Sequence, residues 1–273
     1  MLSFLLFLTA PINPQVIPTP YQQAWAILKQ GAIDNAAAKR AKAVHGLGLA
    51  SGRSAQAICE QALGDPDKNV RAEAATSLGK MNAISARPKL RACLDDKEIL
   101  VVLACTNSLY LLKDPMAYEV YYALLTQERK SSKGLIQSQL DTLRDRKQME
   151  TLAFETGIGF VPYGGMAWQA IKTINHDDAS PVRAMAAERL ANDPDPKSEQ
   201  ALADYLADKK IKVREAVIEA IVKRGDPALL KTVIELLDDD NENVRFDAAG
   251  AVIALSQRRT SRRVKSSAPP TKR

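Results

Sequence analysis

"NVRAEAATSLGKM", Asn69 to Met81, decides how the chain is read, because "KVREAVIEAIVKR" at Lys212 to Arg224 and "NVRFDAAGAVIAL" at Asn243 to Leu255 repeat its pattern. Aligned on their valines, the three copies sit at Val70, Val213 and Val244, and the last two are 31 residues apart (244 − 213). Stepping by 31 in both directions gives anchors at Lys39, Val70, Val101, Ser132, Val182, Val213 and Val244. The interval from 132 to 182 is 50 residues, one period plus 19, so it holds an insertion. A fixed period of this length is the mark of a repeat architecture.

Each anchor opens an amphipathic helix. Four residues on stand Ala43, Ala74, Cys105, Ile136, Ala186, Val217 and Ala248, and eight residues on stand Leu47, Leu78, Leu109, Leu140, Leu190, Ile221 and Val252. Offsets of 0, 4 and 8 trace one helical face. Leu63, Leu94, Leu125, Leu206 and Leu237, seven residues before an anchor, close a second helix in the preceding unit. An aspartate precedes six anchors by five residues (Asp34, Asp65, Asp96, Asp177, Asp208, Asp239), where it is expected to cap the helix and favour its positive end. An arginine follows five of them (Arg40, Arg71, Arg183, Arg214, Arg245), and the two series are expected to form a structural ladder of charge-assisted bonds between units.

This pattern, Asp-x-x-x-x-Val-Arg followed by Ala-Ala and Leu, resembles the short form of the HEAT repeat, the PBS-lyase HEAT-like type. The resemblance runs from about Asp34 to Leu255 and is weakest at Ser132, where Gln127 replaces the aspartate and Lys133 the arginine. It implies an all-α fold, a right-handed α-solenoid of about six to seven short helix pairs, because one pair cannot bury its apolar stripe alone and must stack. The organisation expected is an apolar, Pro-rich segment over 1–20, a repeat solenoid over 21–256 with an insertion within 141–166, and a disordered basic tail over 257–273. The motif specifies architecture and says little about activity.

Composition agrees. Hydrophobic residues make up 46% and charged residues 26%, which excludes wholesale disorder, while aromatics are 5%. The formal charge of +6 comes from the end of the chain: Arg258, Arg259, Arg262, Arg263, Lys265, Lys272 and Arg273 leave 31 basic residues (38 − 7) against 32 acidic ones elsewhere. The body is near neutral and the tail polycationic, so nucleic acid or an anionic surface is expected as a partner through the tail alone. Cys59, Cys93 and Cys105 each fall in an apolar helical pattern and read as small core residues; without a C-x-x-C pair, and with His45 and His176 as the two histidines, no metal or other cofactor is expected. The apolar run Leu2 to Leu8 is too short for a transmembrane span. As a minimal signal peptide it points to export, into a bacterial periplasm, with a cytoplasmic location as the alternative.

Chemistry is sparse. Among enzymes of this repeat class, an iron-dependent deoxyhypusine hydroxylase requires repeated His-Glu pairs, whereas His45 precedes Gly46 and His176 precedes Asp177. "GIGFVPYGG", Gly157 to Gly165, lacks the Gly-Lys-Ser/Thr ending of a phosphate loop. No catalytic residue is assigned. The second helix of a HEAT unit lines the concave face, and there the residues change character from unit to unit: Gln56 and Glu60, Arg87 and Arg91, Tyr118 and Tyr122, Trp168 and Lys172. Arg, Tyr and Trp are enriched at interface hot spots. Arg87, Arg91, Tyr118, Tyr122, Trp168 and Lys172, with Phe160 and Tyr163 of the inserted loop, are therefore the candidate contacts of a non-enzymatic scaffold that binds a protein or peptide. The alternatives are polyanion binding through the tail and a subunit like the bilin lyases, which share this repeat.

Overall fold

The computed structural model describes residues 17–126 and 179–267, and among them the secondary structure is helical, without strands. Twelve α-helices follow in order: α1 (Pro20–Ala32), α2 (Ala37–Ala50), α3 (Gly52–Ala62), α4 (Lys68–Lys80), α5 (Arg87–Ala92), α6 (Ile99–Leu111), α7 (Pro115–Thr126), α8 (Ser180–Leu190), α9 (Pro196–Asp204), α10 (Ile211–Arg224), α11 (Leu230–Glu235) and α12 (Glu242–Ser267). Helices α2, α4, α6, α8, α10 and α12 are the anchored first helices; the shorter α5, α9 and α11 each run on into a 3₁₀ turn that ends just before the next aspartate. The all-α solenoid of stacked helix pairs is thus the observed fold.

The repeating face is the core. Val70, Val101, Val213 and Val244 are buried, as are Ala43, Ala74, Cys105, Val217 and Ala248 four residues on and Leu47, Leu78, Leu109, Ile221 and Val252 eight residues on. Each fully buried Leu or Ile contributes about 1.5–3 kcal/mol through apolar area removed from water. The copy at Val182 departs from the pattern: Val182 is 39% exposed and Ala187 is buried in place of Ala186. Its helix, α8, is the outermost of the described C-terminal units, so one side of it has no described neighbour.

The stacking order is not the order of the chain. Helix α12 packs on α2 and α1 as well as on α10, so the first helices stack as α8, α10, α12, α2, α4, α6. The C-terminal unit sits on the N-terminal one, and the two ends of the stack, α8 and α7, are the elements that border residues 127–178. At this joint Phe246 lies over α1, and Gly46 meets Gly250: a Cβ at Gly250 would stand 2.2 Å from the Gly46 carbonyl oxygen, and one at Gly46 would stand 2.5 Å from that of Phe246. Only glycine permits backbones this close.

Three expectations are corrected. The stretch 257–267 is helical, continuing α12 beyond the last buried turn, because it contains no Gly or Pro and follows directly on a packed helix. Cys93 and Cys105, expected as unlinked core residues, form a disulfide with Cα atoms 6.2 Å apart, since the turn at Asp96 folds the end of one helix pair against α6; Cys59 is buried and free. The repeated aspartates do not cap helices directly. Oδ1 of Asp34, Asp65, Asp96, Asp208 and Asp239 accepts the backbone N–H two residues on, closing an Asx turn before the helix. In α4 the cap is Asp67, which accepts from the N–H groups of Asn69 and Val70. The 141–166 insertion, residues 1–16 and Asp177 lie outside the described residues.

Candidate functional site

Four rungs of the expected Arg–Asp ladder are present among the described residues. Arg40 donates from Nε and Nη2 to Asp65, both at 2.8 Å, and from Nη1 to the Asp34 carbonyl at 2.9 Å. Arg71 does the same to Asp96 (2.7 and 3.0 Å) and to the Asp65 carbonyl (2.8 Å). Arg183 reaches Asp208, and Arg214 reaches Asp239 at 2.9 Å. Each arginine therefore ties the turn of its own unit to the aspartate of the next. Neighbouring first helices are also joined by serines: Ser77 Oγ donates to the Val44 carbonyl (3.1 Å) and Ser108 Oγ to that of Ala75 (2.7 Å). Arg245 donates to the Asp239 carbonyl at 2.6 Å, and at the joint Lys39 pairs with Glu242 at 3.0 Å where a rung of the ladder would fall.

The expected recognition residues divide in two. Arg91 forms a forked pair with Asp114 (Nη2 to Oδ2, 2.8 Å; Nε to Oδ2, 3.1 Å), and Arg87 donates to the Leu112 carbonyl. Asp114 is fully buried; burial alone would raise its carboxyl, but the bonds from Arg91 and from the Met116 N–H outweigh it and hold the group below its ordinary value. Both arginines thus fasten the α6–α7 turn, with side chains that stay 31% (Arg87) and 49% (Arg91) exposed. Asp114 stands outside the 31-residue register of the ladder, and it draws both guanidinium groups to the turn.

The tyrosines remain on the surface. Tyr118 is 52% and Tyr122 57% exposed, and they extend along α7 beside Tyr110 and Leu111 of α6. The Tyr110 ring meets those of Tyr118 and Tyr121 edge to face, with centroids 5.7 and 6.0 Å apart. Such packing presets the aromatic surface and lowers the entropy lost when it is covered. Phe160, Tyr163, Trp168 and Lys172 lie outside the described residues.

His45 forms a charged cluster that its sequence neighbours do not mark. On α2 it has no adjacent glutamate, but the joint brings three acids to it from separate units. Nδ1 lies 2.9 Å from Glu73 of α4, Nε2 lies 3.0 Å from Glu219 of α10, and Asp247 of α12 is 3.8 Å from Nε2. Burial would lower the imidazole, but its bonds to Glu219 and Glu73 win and raise it to about 10, so the ring is a cation. Glu219, which burial would push up, is instead drawn down to about 2, chiefly by His45. Asp247 moves the other way, pushed up to about 7 by burial. Despite the donor types, no group of three His, Cys, Asp or Glu among the described residues is placed to hold a metal ion. No sequence signal short of the permuted stacking order predicts this cluster.

Among the described residues, no helix is long and apolar enough to cross a membrane. A model of HEAT repeats matches residues 26–119 and 169–259, more than half of the chain. No curated protein sequence matches. Solved structures of similar fold include human deoxyhypusine hydroxylase in complex with glycerol (19% identity, 87% of this chain and 97% of that one, TM-score 0.34). They also include the complex of CpcE and CpcF of phycocyanin lyase from Nostoc sp. PCC7120 (17% identity, 93% and 98%, TM-score 0.34). An engineered protein matches with 13% identity, over 86% and 97%, at a TM-score of 0.28. With its seven anchors, 31-residue period and Arg–Asp ladder, the chain belongs to the HEAT-repeat family, in the short form of the repeat.

Proposed function

We propose that this protein is a non-enzymatic scaffold that binds a protein or peptide partner, with the tyrosine surface of α6 and α7 as the principal contact. The observation that carries the reading is the exposed group of Tyr110, Leu111, Tyr118 and Tyr122, in which the Tyr110 ring packs edge to face on Tyr118 and on the neighbouring Tyr121. HEAT folds serve enzymes and scaffolds alike, so the fold does not choose between them. Preset aromatic side chains at the surface are the composition of an interaction hot spot. Replacing Tyr118 and Tyr122 together by Ser is expected to abolish capture of the partner identified by cross-linking in the native host, at an unchanged melting temperature. Undiminished capture by a folded double variant overturns this contact surface.

A second reading rests on α12. Arg258 and Arg259 are exposed on a helix that continues to Ser267, so the basic end is an ordered projection from the last unit. That arrangement favours an anionic partner, nucleic acid or membrane surface, bound with steep salt dependence. The Cys93–Cys105 disulfide supports export, since such bonds persist in oxidising compartments. In protein isolated from the native host without reductant, these two thiols are expected to resist alkylation.

A further inference from the structure

The joint between α12 and α2 holds a donor shortage. An imidazolium has two N–H groups, and His45 spends one on Glu73 and the other on Glu219. Asp247 is the third carboxylate beside it, with a side chain 3% exposed and an Oδ1 that receives no hydrogen bond. It stands on the first buried turn of α12, next to Phe246, which packs over α1. Where a buried carboxylate has no donor, the neutral acid is the form that burial tolerates.

We propose that this joint is a proton-set clasp: Asp247 takes up a proton when the C-terminal units dock on α2, and its ionisation loosens the docked state. The groups facing it are Lys42 and His45 on α2 and Glu215 and Glu219 on α10, while Glu73 and Lys80 of α4 act on its neighbours His45 and Glu219. Lys212 engages Glu215 at 2.8 Å and Lys42 approaches it at 3.5 Å, so the nearby lysines are drawn to Glu215.

The signs combine in one direction above pH 5. Asp247 is raised from 3.8 to about 7 in the docked state, so docking is favoured below that range and weakens as pH climbs through it. His45, raised from 6.5 to about 10, contributes docking strength that is complete below 6.5 and is lost as pH rises towards 10. Glu219, lowered from 4.5 to about 2, favours docking above 4.5, which is already satisfied in this window, and its contribution fails only as pH falls towards 2. Between pH 5.0 and 6.5 the change therefore belongs to Asp247.

The test is hydrogen exchange on the full chain at pH 5.0 and 6.5, with labelling times scaled for intrinsic exchange and α6 amides as the internal reference. Opening of amides in 44–50 and 246–255 is expected to increase about tenfold or more over this interval, and Asp247→Asn is expected to flatten the change. A pH-independent ratio in the wild-type chain, or the same slope in a folded Asp247→Asn variant, overturns the clasp. The wild-type chain also gives a variant-free measurement: the ¹³Cγ resonance of Asp247 is expected to titrate near neutrality, and a midpoint in the ordinary aspartate range overturns the proposal.

Discussion

The contact of α4 with α6 and the contact of α12 with α2 are both made by neighbouring first helices, yet they are held by different chemistry. Between α4 and α6, as between α2 and α4, a rung consists of an arginine forked onto an aspartate 25 residues on (71 to 96), with a serine hydroxyl donating to a backbone carbonyl across the interface. At the joint, Gly46 takes the serine position, Lys39–Glu242 stands where an arginine rung would fall, and His45 bridges glutamates of α4 and α10. The difference shows which parts of a repeat are generic. A rung that recurs can be specified by one motif; a contact that occurs once needs residues found nowhere else in the series.

The largest expected effect breaks a generic rung. Arg71 has a side chain 8% exposed, and in Arg71→Met the Asp96 carboxylate loses its charged partner, keeping the Glu98 N–H, while the Asp65 carbonyl loses the Nη1 bond. Removing one partner of a buried pair costs about 3–5 kcal/mol, and denaturant unfolding should show that loss as a lower midpoint at an unchanged slope. If Arg71→Met is nearly neutral, the ladder is decoration and the apolar face alone holds the units together.

The next effect exchanges the two chemistries at the joint. Gly46→Ser installs the serine of the regular rungs, but its Cβ would stand 2.5 Å from the Phe246 carbonyl oxygen and 2.8 Å from Leu28 Cδ2. Overpacking of this kind costs about 1–3 kcal/mol. Thermal unfolding should reveal it, and exchange should localise the loss to α2 and α12. A variant as stable as the wild type would mean that α12 stands off α2 in solution.

What the sequence made legible was what repeats. Val70, Val213 and Val244 share a face because a helix turns once every 3.6 residues, and that periodicity located the first helices and both partners of the ladder. The stacking order stayed hidden, since the same apolar stripe suits any neighbour; that α12 meets α2 depends on Gly46, Gly250 and Phe246 acting across 200 residues of chain. The site was less legible still. Arg87 and Arg91 have the composition of a hot spot, but Asp114, outside the 31-residue register, claims them. His45 was set aside for want of an adjacent glutamate, although Glu73 and Glu219 reach it from other units. Tyr118 and Tyr122 were readable as surface residues because their positions in α7 fall off the buried stripe of Ala117 and Val120.

The smallest effect sharpens the comparison from the regular side. Ser77→Gly gives the α2–α4 contact the residue that the joint carries, removing an Oγ bond of 3.1 Å to the Val44 carbonyl and the Cβ that touches Gly48. Glycine inside a helix costs roughly 0.5–1 kcal/mol, and the lost hydrogen bond adds about 1 kcal/mol. The Val44 carbonyl remains within its helix and so is not left as an unpaired buried acceptor, which keeps the total near 1–2 kcal/mol by these same magnitudes. The sum should appear in denaturant unfolding as a modest fall in midpoint. A larger loss would show that α4 cannot settle closer to α2 when the serine is removed, so that close glycine contact is a property of the joint and not of the repeat.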